Sequence, residues 1–185
     1  MKADKGSDSL FEFPLLGLIG ETGTLLSVLK KKLRDKTSYQ AYTPHVIEEL
    51  GDVLWYFSNV ASKGGVRLSD IGKNLDPIFT DWKDGSREIS FRDIQKQPTI
   101  VRLEPMARFE TTLLALAAEI GVVTKGFLAE SFRTDPAALQ GRLAVVMQHL
   151  IKAANIAGVT LEQAAEGNLR KIFDRWPSEK NIPTC

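Results

Sequence analysis

Three carboxylates carry the strongest chemical signal in this sequence. At about 100° per residue of helix, Glu21 points the same way as Leu18, Leu25 and Val28, which places a carboxylate within an apolar stripe. An unpaired charge in such a stripe is costly, so Glu21 calls for a cation, either Lys, Arg or a metal. Further along, Val46, Leu50, Val53, Leu54, Phe57, Val60 and Ala61 recur as one apolar stripe. His45, Glu49, Asp52 and Tyr56 run along its edge at spacings of three and four, with Glu48 just beyond. Two such helices packed together bring Glu21, Glu49 and Asp52 into one place, an all-oxygen set of the kind that hard Mg²⁺ takes. An acidic pair three residues apart is also a common solvated helix face, and it is the apolar setting of Glu21 that favours the metal. With a single cysteine, Cys185, and two lone histidines, His45 and His149, no Cys/His cluster competes as a zinc site.

Other groups are open to two readings. Lys30, Lys31, Lys32, Arg34 and Lys36 crowd the end of the first apolar stretch, where cations complement the helix dipole. They also suit a phosphate clamp, with Lys31 best placed because it shares a side with Glu21. Trp55, Trp82 and Trp176 can stack on a base, although large aromatics at helical spacing also fill cores. His45 can hydrogen-bond Glu49 one turn on and support the site, since a metal that lowers the pKa of water leaves no need for a histidine base.

The elements that must position these groups read as all-α. Pro14, Pro44, Pro105 and Pro136 each precede an apolar-periodic stretch, as at a first helical position. Thr43 and Asp135 are suited to N-caps, and Thr160 with Gln163 makes a capping-box pattern. The spacing predicts helices over 13–35, 44–63, 69–82, 106–132, 136–157 and 161–175. Residues 83–104 are rich in charge and read as a linker, ending in a short β-like run from Thr99 to Leu103.

The 185 residues suit one domain or two small halves sharing a core, and 43% hydrophobic with 25% charged residues is an ordinary globular balance. A formal charge of +1 provides no global field to attract a nucleic acid polymer or an anionic membrane. Met1 to Glu12 lack the basic start and apolar run of a signal peptide. Glu21, Glu119 and Lys125 interrupt the longest apolar runs before about 18 residues, too short to span a bilayer. The expectation is a cytoplasmic protein.

An internal repeat organises the chain. Asn74-Leu75 and Ile78-Phe79-Thr80-Asp81-Trp82 recur as Asn168-Leu169 and Ile172-Phe173-Asp174-Arg175-Trp176, both at a spacing of 94. Gly65-Val66-Arg67-Leu68 recurs as Gly158-Val159-Thr160-Leu161 at 93, and Leu15-Leu16 with Gly20-Glu21-Thr22-Gly23 recurs as Leu113-Leu114 with Ala118-Glu119-Ile120-Gly121 at 98. The reading is two fused three-helix repeats forming a pseudo-dimer: 1–82, a linker at 83–104, 105–177, and a tail at 178–185.

Gly17-Leu18-Ile19-Gly20-Glu21-Thr22-Gly23, followed by Val46-Ile47-Glu48-Glu49-Leu50-Gly51-Asp52-Val53-Leu54-Trp55-Tyr56, resembles the MazG-type all-α nucleoside triphosphate pyrophosphohydrolases. That family pairs Glu-x-x-Glu on one helix with Glu-x-x-Asp on the next, and the four acids hold Mg²⁺ that activates water against the α-phosphate of a nucleotide. Here Thr24 stands where the second acid would be, and Glu48 is a nearby substitute. The family's last helix carries Asn, then Lys three residues on, then Arg with an aromatic and Pro. Asn168, Lys171 and Arg175-Trp176-Pro177 match that pattern. The first half keeps Asn74 but has Pro77 and Asp81 in place of the cations, while Arg142 and Val145 replace the second-helix acids in the second half.

The resemblance implies a MazG-like helical bundle that hydrolyses a nucleoside triphosphate to monophosphate and pyrophosphate with Mg²⁺. Glu21, Glu49 and Asp52 would hold the metal, with Glu48 and His45 beside them. Lys31, Lys171 and Arg175 would bind phosphates, Asn168 a sugar or phosphate oxygen, and Trp55 or Trp176 the base. The halves are defective in complementary ways, which gives one working site, with acids from the first and cations from the second. Glu119 and Arg142 are then expected to form an ion pair in place of a second metal. The alternative is a catalytically weak or inactive nucleotide-binding or protein-interaction module on the same scaffold. The chain would be a monomeric pseudo-dimer or a homodimer.

Overall fold

Each stretch with apolar residues at spacings of three and four folds as helix in the computed structural model, which describes residues 9–82, 89–96 and 106–175. The chain is all-α, with no strand among the described residues. Helix α1 (Ser9–Asp35) and α2 (Tyr42–Lys63) form a hairpin closed by a single 3₁₀ turn at Lys36–Ser38. A short α3 (Leu68–Lys73) and a four-residue α4 (Phe91–Ile94) follow. Helix α5 (Met106–Leu128), the single turn α6 (Ser131–Thr134) and α7 (Pro136–Ala157) build a second hairpin, and α8 (Leu161–Arg175) ends the described chain.

One apolar core runs through both hairpins. Leu18 and Leu25 of α1, the whole expected stripe of α2, Leu113, Leu116 and Ile120 of α5, and Leu143, Met147 and Leu150 of α7 are buried. The helix that follows each hairpin packs on the second helix of the other hairpin: α8 lies along α2, and α3 lies against α7. Gly158 makes the crossing possible. In the left-handed region at φ 70°, it ends α7 and turns α8 by 97°, with Val159 N–H bonding back to the Ala154 carbonyl at 3.0 Å.

Several boundaries differ from the spacing. The helix expected over 69–82 stops at Lys73, because Asp76 accepts from the Ile78 N–H at 2.9 Å in a local turn around Pro77. The helix expected over 106–132 breaks at Glu130, whose φ of 55° lies in the left-handed region, and Ser131 bonds back to the Gly126 carbonyl. Pro14 lies inside α1 rather than at its start, and Thr43 lies inside α2, where Ala41 is the cap and its methyl group accepts no hydrogen bond. The caps at Asp135 and Thr160 form as expected, at 3.0 Å to Ala138 N–H and 3.0 Å to Gln163 N–H.

Part of the segment read as linker is docked structure. Ser90 and Asp93 cap α4 reciprocally, Ile94 is fully buried, and the Gln95 side chain is held by Asn155, the Val159 carbonyl and the Leu161 N–H. Phe11–Ser38 and Arg108–Leu128 are long and apolar enough to cross a membrane by length and composition, with mean hydropathies of 1.2 and 1.4. This corrects the sequence expectation, since an isolated Glu21 or Glu119 leaves the average of its window high. The expected strand at Thr99 to Leu103, Pro105, Trp176, Pro177, Cys185 and the 178–185 tail lie outside the described residues.

Candidate metal and phosphate site

Where α1 meets α2, the stripe logic places Glu21 at the edge of the core. Its helix neighbours Leu18 and Leu25 are fully buried, so its carboxylate emerges half-buried beside the polar strip of α2. His45, Glu49, Asp52 and Tyr56 are half-buried along that strip. One carboxylate oxygen from each of Glu21, Glu49 and Asp52 lies within 4.8 Å of the others, a spacing that a single cation can bridge. The donor set is all oxygen and fits a hard divalent ion such as Mg²⁺.

The electrostatics follow from crowding. Burial first, then repulsion from Asp52, Glu21 and Glu48, pushes the Glu49 carboxyl up to about 7. Burial and the charge of Asp52 also raise Glu21, against a lowering pull from Lys171.

The cation comes from α8. Lys171 Nζ sits 2.5 Å from both carboxylate oxygens of Asp52 and 3.8 Å from Glu48 Oε1. Asn168 Nδ2 donates to the same Asp52 Oδ1, and Asn168 is 7% exposed with its own Oδ1 lacking a hydrogen-bond partner among the described residues. Gly51 makes this approach possible, because a Cβ there would collide with the Ala164 carbonyl and crowd Asn168. Pro44, Ile47, Glu48, Gly167, Asn168 and Lys171 line a groove of about 240 Å³ beside the acids.

Not every expected residue reaches the cluster. Lys31 stacks over the Tyr39 ring, 4.4 Å from its centroid, beside Asp35. His45 pairs through Nδ1 with the Tyr39 hydroxyl instead of turning to Glu49. Tyr39, buried at the end of the α1 to α2 connection, follows no helical spacing and was not singled out by the sequence. Its hydroxyl is raised by burial and by the charge of Glu49. Trp55 is half-buried on α2, and Arg175 is exposed one turn beyond Lys171. Thr24 is exposed and bonds to the Gly20 carbonyl at 3.3 Å, so it adds no ligand. Between α7 and α5, Arg142 Nη1 comes within 3.6 Å of Glu119 Oε2, the ion pair expected from the sequence.

No family model matches the chain, and no solved structure matches it. Over 66 residues, 34% of this chain, it is 40% identical to the "Gene 37 protein" of Mycobacterium phage L5. The match spans 58% of that phage protein.

Proposed function

We propose that this chain hydrolyses a nucleoside triphosphate to the monophosphate and pyrophosphate with Mg²⁺, as the MazG-type resemblance implies. The observation that carries the reading is the meeting of Glu21, Glu49 and Asp52 from two helices with Lys171 and Asn168 from a third. The three carboxylates would hold Mg²⁺, which supplies charge to activate water and to neutralise the phosphates. Lys171 and Arg175 then neutralise phosphate oxygens, Asn168 fixes a sugar or phosphate oxygen, and Trp55 offers a ring to the base.

The two-repeat pseudo-dimer belongs to the same proposal. It is supported by the reciprocal packing of α8 on α2 and α3 on α7, with α1 against α5 and α2 against α7 between the halves. Acids from one half and cations from the other then make one site, in a monomer or in a homodimer of such chains. A cytoplasmic setting suits these ligands.

A second reading, a weak or inactive nucleotide-binding or protein-interaction module, is favoured by the exposed Thr24 at the position of the family's fourth acid. Pyrophosphate release across ribo- and deoxynucleoside triphosphates with Mg²⁺, run beside Glu49→Ala, separates the two. Release that requires both metal and Glu49 establishes the hydrolase, and no release above the mutant leaves the module.

A further inference from the structure

We propose that Lys171 exchanges partners: it holds Asp52 in the metal-free protein, and a divalent cation displaces it toward the phosphates, so that cation and polyphosphate bind in that order and cooperatively. The inference rests on the metal site proposed above and adds a coupling between its two ligands. Three hydrogen bonds already occupy Asp52, and the Lys171 ammonium bridges both of its oxygens. Its Oδ1 receives both Asn168 Nδ2 and Lys171 Nζ, and its Oδ2 receives the same ammonium at 2.5 Å. A cation shared with Glu21 and Glu49 binds one of those oxygens directly beside the ammonium, and repulsion between the two positive charges drives the ammonium off.

Lys171 has somewhere to go. Its side chain is 35% exposed and lines the groove with Pro44, Ile47, Glu48 and Gly167, where Glu48 is the other charge it meets. Without the ammonium, Glu48 leaves that groove hostile to an anion; with it, the groove gains a mobile donor for phosphate oxygens. Asn168 adds an independent sign of a ligand. It is more than nine-tenths buried against Asp52, yet its Oδ1 is an acceptor that finds no donor among the described residues.

The test uses the full chain and Mn²⁺ alone, at about pH 8, where carboxylates are ionised. Calorimetric titration compares wild type with Lys171→Met, and with Arg170→Gln as a control that removes the same charge from the neighbouring exposed position. Lys171→Met is expected to bind Mn²⁺ at least about tenfold tighter, on the scale of one charge-assisted hydrogen bond, and Arg170→Gln to match wild type. In a second arm, wild type alone is labelled with an amine-reactive reagent and read by mass spectrometry, so the test survives a Lys171→Met that does not fold. Mn²⁺ should raise labelling of Lys171 several-fold and leave Lys31 unchanged. Metal binding with no gain in Lys171→Met, or unchanged Lys171 labelling at metal saturation, overturns the exchange and leaves the hydrolase reading standing. Failure of both wild type and Lys171→Met to bind Mn²⁺ overturns the metal site and the exchange together.

Discussion

Glu49 carries a pH dependence whose sign is fixed by its surroundings. Its carboxyl is raised from 4.5 to about 7 by burial and by neighbouring acids. Between those values the folded protein keeps a proton that the unfolded chain has released, so this group's contribution to stability declines as pH rises through that window. In metal-free buffer the thermal midpoint of wild type should therefore fall more steeply from about pH 4.5 to 7 than that of Glu49→Gln. Parallel curves would place the titration elsewhere. Added Mg²⁺ should restore wild type most at the upper end of that range, where the carboxylates are free to bind it. The pair formed by Glu119 and Arg142 is a different case. Arg142 is 49% exposed and the approach is 3.6 Å, so Arg142→Gln should cost less than about 1 kcal/mol in denaturant unfolding and leave pyrophosphate release unchanged. A loss of release as deep as that of Glu49→Ala would instead assign Arg142 to the working site.

At the scale of elements, the site depends on how closely α8 approaches α2. Gly51→Ala puts a methyl group against the backbone of Ala164, and such overpacking typically costs about 1–3 kcal/mol. Calorimetry on the mutant should also show tighter Mn²⁺ binding, because α8 carries Asn168 and Lys171 away from Asp52 and leaves its oxygens to the cation; unchanged stability and affinity would mean that α8 adjusts freely. The α1 and α2 stripes were legible because burial imposes a period on local sequence, and the same period exposed Glu21 as a misfit. The third element of the first half was not legible. Ile78 to Trp82 repeats Ile172 to Trp176 in letters, but Asp76 and Pro77 turn the first copy out of helix while the second copy is helical as far as Arg175. Helix α4 escaped notice because four residues carry no period, although Ser90 and Asp93 stand at capping-box spacing. The grip of Lys171 on Asp52 joins residues 119 apart, and such a pairing leaves no local trace in a sequence.

Across the whole molecule, the segment around α4 fastens the junction from which α8 departs. Gln95 is buried and takes its hydrogen bonds from three points of the α7 to α8 turn, while Arg92 reaches Glu162 at 2.7 Å and Lys96 reaches Asp81 at 2.7 Å. Gln95→Leu would keep the volume but strand the Leu161 N–H and the Asn155 amide oxygen. The expected loss is about 2–4 kcal/mol in denaturant unfolding. A mutant as stable as wild type would show that water replaces the side chain at no cost.

The packing of α8 on α2 also orders in time the meeting of Asp52 with Asn168 and Lys171. The acids of α1 and α2 emerge from synthesis long before α8, and Asp52 gains its amide and ammonium partners only after another 116 and 119 residues have been made. Closing so long a loop carries an entropic cost, and until it closes the crowded carboxylates lack their cation. A nascent chain therefore carries its acids without the ammonium of Lys171 until α8 has been made.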